Sequence, residues 1–385
     1  MTQPDALTKY LAALPLVDHH VHGTLVPSLS RADFESFLTE SLEPIPAWAT
    51  QFDSQVGFAV RKYCAPILGL PEHADAESYW SARASRTPEE VTRLLLTSTG
   101  ISHSLIDSGV IQTAHSEPSL TTLDEFAELS GHSVHEVVRL ETLLEQLANA
   151  GTPADALEEA FDNALHAATQ TAVGFKSIIA YRYGFDFDPE KPTATEFRAA
   201  AEKWLATTET THRVTDPILL RTLLWKGVAT GLPVQLHAGY GDSDLDLARC
   251  NPLLLMNWLK LLPVSASDVV LLHCYPYHRE AGYLAQVFPK VFFDVGLAIN
   301  YTGAASDRVI AESMELAPFA KILFSTDAWG LPELHHIGAA LWRRGMVRTL
   351  SPLVTDGDWS LNDALRVARI IGRDNAIRLY KLPAQ

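Results

Sequence analysis

The chain has 385 residues, 47% hydrophobic and 20% charged, enough apolar material for a large buried core and far from a disordered composition. A formal charge of -16 with no basic cluster disfavours nucleic acid and membrane surfaces as partners. Cys64, Cys250 and Cys274 lack zinc or redox spacing, no apolar signal core or membrane-length stretch is seen, and a cytoplasmic protein without disulfides is expected.

The first predicted strand, Leu14–His20, leads into His20-Val-His22. Alternation along a strand sends residues i and i+2 to one face, so His20 and His22 can reach one metal ion. His19 should then point to the opposite face and serve the structure. Residues 24–98 interrupt the rhythm with Phe34-Glu-Ser-Phe, Trp48, Phe58-Ala-Val-Arg-Lys-Tyr-Cys-Ala and Tyr79-Trp80, an aromatic-rich helical insertion. Seven further apolar runs follow, at Ile101–Asp107, Glu136–Glu141, Ala172–Tyr181, Pro233–His237, Asp268–His273, Val291–Val295 and Lys321–Asp327. They are rich in Val, Ile, Leu and Phe with little alternation, as expected of parallel strands covered on both faces. Helical spacing recurs in Asp216–Thr230, Leu253–Leu262 and Arg279–Phe288, and Thr142–Gln170 reads as helices. Strands alternating with helices over eight units predict an α/β fold, a (β/α)8 TIM barrel in a single domain spanning 1–385. The insertion is then either a partial lid over the barrel mouth or an ordinary elaboration outside it.

Side chains at the C-terminal ends of barrel strands converge on one mouth, where catalysis in this architecture resides. His20, His22, His237, His273 and Asp327 sit at or near such ends, and Lys176 lies within a strand. Any one of them alone is as well read as a hydrogen-bonded core histidine or a helix-capping aspartate. Together they read as a metal site. Lysine in an apolar strand is costly as a cation, and more so beside a divalent metal, so the Lys176 amine should be driven toward neutrality and could take up carbon dioxide. Its alternative is an unmodified lysine paired with a carboxylate. Cys274, next to His273, is assigned to packing. Arg182 and Tyr181, just after the fourth strand, and His278, in the loop after His273, are candidates for substrate binding, with surface pairing or ordinary loop polarity as the plainer readings.

The strand-end set and the stretches Gly174-Phe-Lys-Ser-Ile-Ile-Ala-Tyr-Arg182, His273-Cys-Tyr-Pro-Tyr-His-Arg-Glu-Ala-Gly-Tyr283 and Ser325-Thr-Asp-Ala-Trp-Gly-Leu-Pro-Glu-Leu334 resemble the amidohydrolase superfamily of metal-dependent hydrolases. The resemblance runs from about Leu14 to Trp342 and is nearest to a nodulin-like branch related to domains fused to glutamine-synthetase-like proteins. It implies one or two divalent ions held by His20, His22, Lys176, His237, His273 and Asp327, with a bridging carbamate on Lys176. Without the carbamate, a one-metal site on His20, His22, His237 and Asp327 is the alternative. Zinc is expected first, and manganese or iron accept the same ligands. The implied reaction is hydrolysis of an amide or related carbonyl bond of a small, carboxylate-bearing substrate, such as a γ-glutamyl amide, by metal-activated hydroxide. Asp327 serves as acid and base, and His273 as second-metal ligand or carbonyl polariser. A one-metal decarboxylase and a sugar-acid isomerase of the same superfamily are the enzymatic alternatives, and a barrel retained as a binding protein is the non-enzymatic one. The expected partner is a small molecule, and a homo-oligomer is compatible with the sequence.

Overall fold

Apolar runs bounded by helical sequence form seven strands in the computed structural model, which describes residues 3–109, 119–207 and 211–383. They are β1 (Leu16–Val21), β2 (Ile101–Asp107), β3 (Ser133–Arg139), β4 (Gly174–Ser177), β5 (Val234–Ala238), β6 (Val269–His273) and β7 (Val291–Phe293). All pair in parallel with their chain neighbours in sequential order. Parallel neighbours need a crossover, and helices such as Pro217–Gly227, capped by Asp216, and His278–Val287 supply it. The fold is therefore an α/β barrel of the TIM type.

The expected eighth strand is not regular. Residues 322–328 close the gap between β7 and β1 with scattered bonds: Leu323 N donates to Phe293 O (2.9 Å), His19 N to Phe324 O (3.2 Å) and Asp327 N to His20 O (3.2 Å). At Thr326 a side chain replaces the ladder, because Asp18 accepts from both its amide (3.0 Å) and its hydroxyl (2.6 Å). A carboxylate standing in for a backbone carbonyl closes the barrel without regular strand pairing. The fourth strand is also shorter than expected, since residues 179–182 turn helical and carry Tyr181 and Arg182 with them.

Apolar side chains fill the barrel in two sets. Val17, Leu105, Val137, Val270, Leu272 and Leu323 form an inner cluster, capped by Leu379 and Tyr380 at the end of the C-terminal helix. Leu16, Val21, Phe175, Leu236 and Phe293 belong to the larger cluster shared with the surrounding helices.

Between β1 and β2 lie short helices at Arg31–Ser36, Gln55–Ala59, Ala76–Ala84 and Pro88–Thr97. Phe34, Phe52, Tyr79 and Trp80 form their aromatic centre, whereas Trp48 stands 88% exposed. One side of this segment is fastened to the long helix Pro332–Thr355, where buried Glu333 accepts from Arg83 (2.6 Å) and Tyr79 (3.0 Å). Its other side reaches the barrel mouth, with Phe37 packed 5.1 Å from Trp329. Among the described residues, no helix is long and apolar enough to cross a membrane.

His132, buried beside Ser104 (2.9 Å) and Thr99 (3.3 Å), is pushed down to about 4 from 6.5 by burial. The unfolded chain therefore takes up a proton that the folded chain refuses, and stability present above pH 6.5 is lost as pH falls toward 4. Thermal melts should show this decline, and His132→Gln should make it shallower; an unchanged slope would remove His132 from the acid response.

Candidate metal centre

Strand register brings the predicted residues together. Lys176 sits level with Arg139 of β3 and Gln235 of β5, and Ala238 at the end of β5 is level with His273 on β6. In β1 the register is irregular between Asp18 and Val21, which changes one expectation. His19 does not serve the opposite face alone: its ring bonds Asp294 (3.0 Å) and Tyr380 (3.1 Å), close to the Gln235 that also holds His20. A local register break lets consecutive side chains escape strict alternation.

At the mouth, Asp327 is the shared point. Its Oδ1 lies 3.1 Å from His20 Nε2 and 3.6 Å from His22 Nε2, and its Oδ2 lies 3.3 Å from His273 Nε2. Lys176 Nζ is 3.1 Å from His20 Nε2, and the His237 ring centre is 4.6 Å from that of His273. His273 and Asp327 both hold left-handed backbone angles, φ 68° and 48°, a strained geometry for residues with a Cβ that here aims both side chains inward.

The charge states suit a cation. Burial, with Lys176 nearby, pushes His20 down to about 3; burial likewise pushes His273 down to about 4, with Asp327 opposing, and His237 well below its ordinary value. Burial would raise Asp327, yet the imidazoles of His273 and His20 hold its carboxyl well below the usual range. Neutral imidazoles around an ionised carboxylate are the donor set that zinc and similar divalent ions accept. Burial also brings the Lys176 amine down to about 8, with Asp107 and Asp327 opposing the shift.

Outer contacts fix which ring nitrogen of His20 and His22 is free. Gln235 donates from Nε2 to His19 O (2.8 Å) and Tyr380 (2.9 Å), so its Oε1 faces His20 Nδ1 at 2.9 Å and must accept a proton from it. His22 Nδ1 likewise faces the Asp107 carbonyl at 3.4 Å. Both histidines thereby present an unprotonated Nε2 to the centre. Among the described residues, buried His237 Nε2 has no hydrogen-bond partner, as expected of an atom that awaits a ligand. The residues present therefore fit a divalent ion.

Two ligand groupings emerge, His20 with His273 and Asp327, and His20 with His22 and Asp107. Asp107 was not among the expected residues although it ends a predicted strand as the others do. Its carboxylate is engaged by Arg139 Nη2 (2.6 Å) and the Gly109 amide (2.9 Å). Gln235 had a signal too, standing two residues before His237 on the same strand face. Asp294 had none, because its contacts to His19 and to the His273 amide (3.0 Å) arise only when strands separated in sequence become neighbours.

The three expected substrate contacts divide. Tyr181 packs on His237 with ring centres 4.5 Å apart. Arg182 Nη2 lies 3.2 Å from Glu145 while its Nε and Nη1 are buried with no hydrogen-bond partner among the described residues, and His278 Nε2 bonds Glu312 (2.7 Å) at the start of its helix. Cys274 is buried with its thiol pushed well up by burial, in keeping with a packing role.

A parallel α/β barrel with histidines, lysine and aspartate converging at its mouth defines a metal-dependent hydrolase. Residues 145–382 match the amidohydrolase family, and the chain belongs to it. The matched stretch contains Lys176, His237, His273 and Asp327 and leaves His20 and His22 outside. The fluG protein of Emericella nidulans is 30% identical over 424 residues; the match takes in 100% of this chain and 48% of that protein, so the chain spans about half the length of its curated relative. A crystal structure from Lactobacillus casei ATCC 334, provisionally described as a metal-dependent hydrolase, is 31% identical, covers 97% of both chains and superposes with a TM-score of 0.85. Glucuronate isomerase from Caulobacter crescentus is 13% identical with a TM-score of 0.66, covering 100% of this chain and 94% of its own, and shares the fold.

Gly241 lies over the site. A Cβ there would overlap the Tyr181 hydroxyl and come within 3.0 Å of His237 Nε2. Gly241→Ala should therefore weaken metal binding on the order of tenfold by disturbing the group that positions His237, as measured by chelator competition. Unchanged affinity would show that this approach plays no part in holding the ion.

Proposed function

We propose that the protein hydrolyses an amide bond of a small, carboxylate-bearing substrate, with His20, His22, Lys176, His237, His273 and Asp327 holding one or two divalent ions, zinc first. The observation that carries this reading is the single carboxylate of Asp327 shared by three imidazole Nε2 atoms at 3.1 to 3.6 Å. When bound, the cation acidifies water and polarises a carbonyl oxygen. Asp327, ionised and only partly exposed, accepts a proton from the attacking water on a carboxylate oxygen and returns it to the leaving nitrogen. The Nε2 atoms of His20 and His273 lie 3.1 and 3.3 Å from the two oxygens of that carboxylate, close enough for one cation to be shared between them. Tyr181 walls the pocket against His237.

The finer reading is a γ-glutamyl amide as substrate, in a nodulin-like branch of the family, with the protein acting in the cytoplasm on small molecules, as a monomer or a homo-oligomer. A relative about twice the length of this chain supports the branch, since it leaves room for a further domain. Asp327→Asn should keep the fold and lower kcat on the order of a thousandfold, within the range for loss of a general acid or base. Retained turnover would remove Asp327 from proton transfer. Release of carbon dioxide, or conversion of a uronate, in place of glutamate release would overturn the hydrolytic reading.

Lys176 is proposed to carry a carbamate. Its buried amine, brought down to about 8, is neutral often enough near neutral pH to react with carbon dioxide, and the resulting anion would suit a site holding divalent ions. Metal-loaded protein grown with carbon-13 bicarbonate should show a carbamate resonance that Lys176→Met lacks. Absence of that resonance in the wild type would establish an unmodified lysine and favour one ion per site.

A further inference from the structure

A cation in the barrel lumen stands outside the ligand set. Val137 of β3 belongs to the inner barrel cluster, so Arg139, two residues on, faces inward as well, and it stands level with Lys176 on β4. Its guanidinium closes on Asp107 at the end of β2, where Oδ2 accepts from Nε at 3.3 Å and from Nη2 at 2.6 Å. Asp107 in turn lies among the metal ligands, since one of its carboxylate oxygens and one ring nitrogen each of His20 and His22 lie within 4.8 Å of one another. Arg139 is therefore a single carboxylate away from the candidate metal centre.

Two features leave that guanidinium ready for a ligand. Asp107 takes only its Nε and Nη2; among the described residues Nη1 has no hydrogen bond, and the Arg139 side chain is 11% exposed where that of Asp107 is fully buried. The stem is also held still, because a Cβ on Gly109 would overlap the Arg139 Cβ and come within 3.1 Å of its Cδ, and Thr142 donates to the Gly109 carbonyl (3.0 Å). A planar fork pinned along one edge and open along the other is an oriented donor, and it can take a carboxylate with little side-chain freedom left to lose. Arg182, the expected anchor, is turned elsewhere: it meets Glu145 of the helix Leu140–Asn149, which also accepts from the Val214 amide (2.8 Å), while Tyr181 beside it faces His237.

Building on the amide-hydrolase reading, we propose that Arg139 is the specificity-determining residue that binds the carboxylate of the substrate, through Nη1. The acyl chain then runs from the ligand histidines toward the end of β3. Asp107 is a positioning residue in this arrangement, held at its own Oδ1 by the Gly109 amide (2.9 Å) and holding the guanidinium with Oδ2. The pair selects a small amide whose acyl part ends in a carboxylate over the same amide with a neutral group at that end.

Removing the cation outright would leave Asp107 buried and unpaired, so the test uses Arg139→Lys, whose single ammonium still neutralises Asp107 but has no second edge to offer. Two ligands of one shape are titrated calorimetrically into metal-loaded full-length protein: glutaramate, which ends in a carboxylate, and glutaramide, which ends in an amide at the same place. Wild type should bind glutaramate more tightly by about tenfold or more, the size of a charge-assisted hydrogen bond. Arg139→Lys should lose most of that preference, with the loss falling on glutaramate, while metal content and melting temperature stay near those of wild type. Equal affinity for the two ligands in wild type, binding of neither, a preference undiminished in the variant, as it would be were the ion to take the carboxylate, or equal loss of both ligands would overturn the proposal. Carboxylate-dependent binding without amide hydrolysis would leave the anchor standing and bring down the reading of the reaction, whereas amide hydrolysis by a wild type indifferent to the carboxylate would do the reverse.

Discussion

Closure of the barrel between β7 and β1 is the constraint on which the rest of the molecule depends. Residues 322–328 bond to both neighbouring strands without forming a ladder of their own, and the Asp18 carboxylate holds Thr326 where a backbone carbonyl would otherwise serve. Asp18 is wholly buried, and burial pushes it up to about 8 against the pull of its Thr326 bonds, so it is seated in a demanding environment. One residue beyond Thr326, the chain turns into the left-handed region and sends the Asp327 carboxylate to three histidines from two other strands. A regular eighth strand would have carried that side chain elsewhere.

The site is layered outward from that carboxylate. Two of the histidines that meet Asp327 are steadied at the ring from the far side, His20 by Gln235 and His22 by the Asp107 carbonyl, whereas Asp294 holds His273 at its backbone amide. Gln235, Asp107 and Asp294 are in turn tied to Tyr380, Arg139 and His19, so a connected network runs from the C-terminal helix to the mouth. Buried networks of this kind hold a donor set in place before any ligand arrives.

The segment between β1 and β2 serves two ends at once. Its buried pair Arg83 and Glu333 fastens it to the outer helix, and breaking one partner of such a pair is severely destabilising because a charge is left buried alone. Its other side packs Phe37 against Trp329, two residues after Asp327.

Much of this was legible in the residues themselves. Apolar runs placed the strands, because burial on both faces leaves an unmistakable composition, and a polar side chain ending such a run is costly unless it has a partner or a ligand, which singled out His20, His22, His237, His273 and Asp327. Lys176 stood out for the same reason. The protein partners of Arg182 and His278 were not legible, since Glu145 and Glu312 lie far from them along the chain. Nor was the placing of His19 and His20 on one side of β1, which alternation alone does not foresee and which accompanies an irregular register between Asp18 and Val21. Sequence by itself determined the strand-and-helix rhythm and the chemical identity of the ligands, both local properties of residue type and spacing. Only tertiary structure decided which ring nitrogens of His20 and His22 are free and what closes the barrel, because those depend on contacts between segments that the chain keeps far apart.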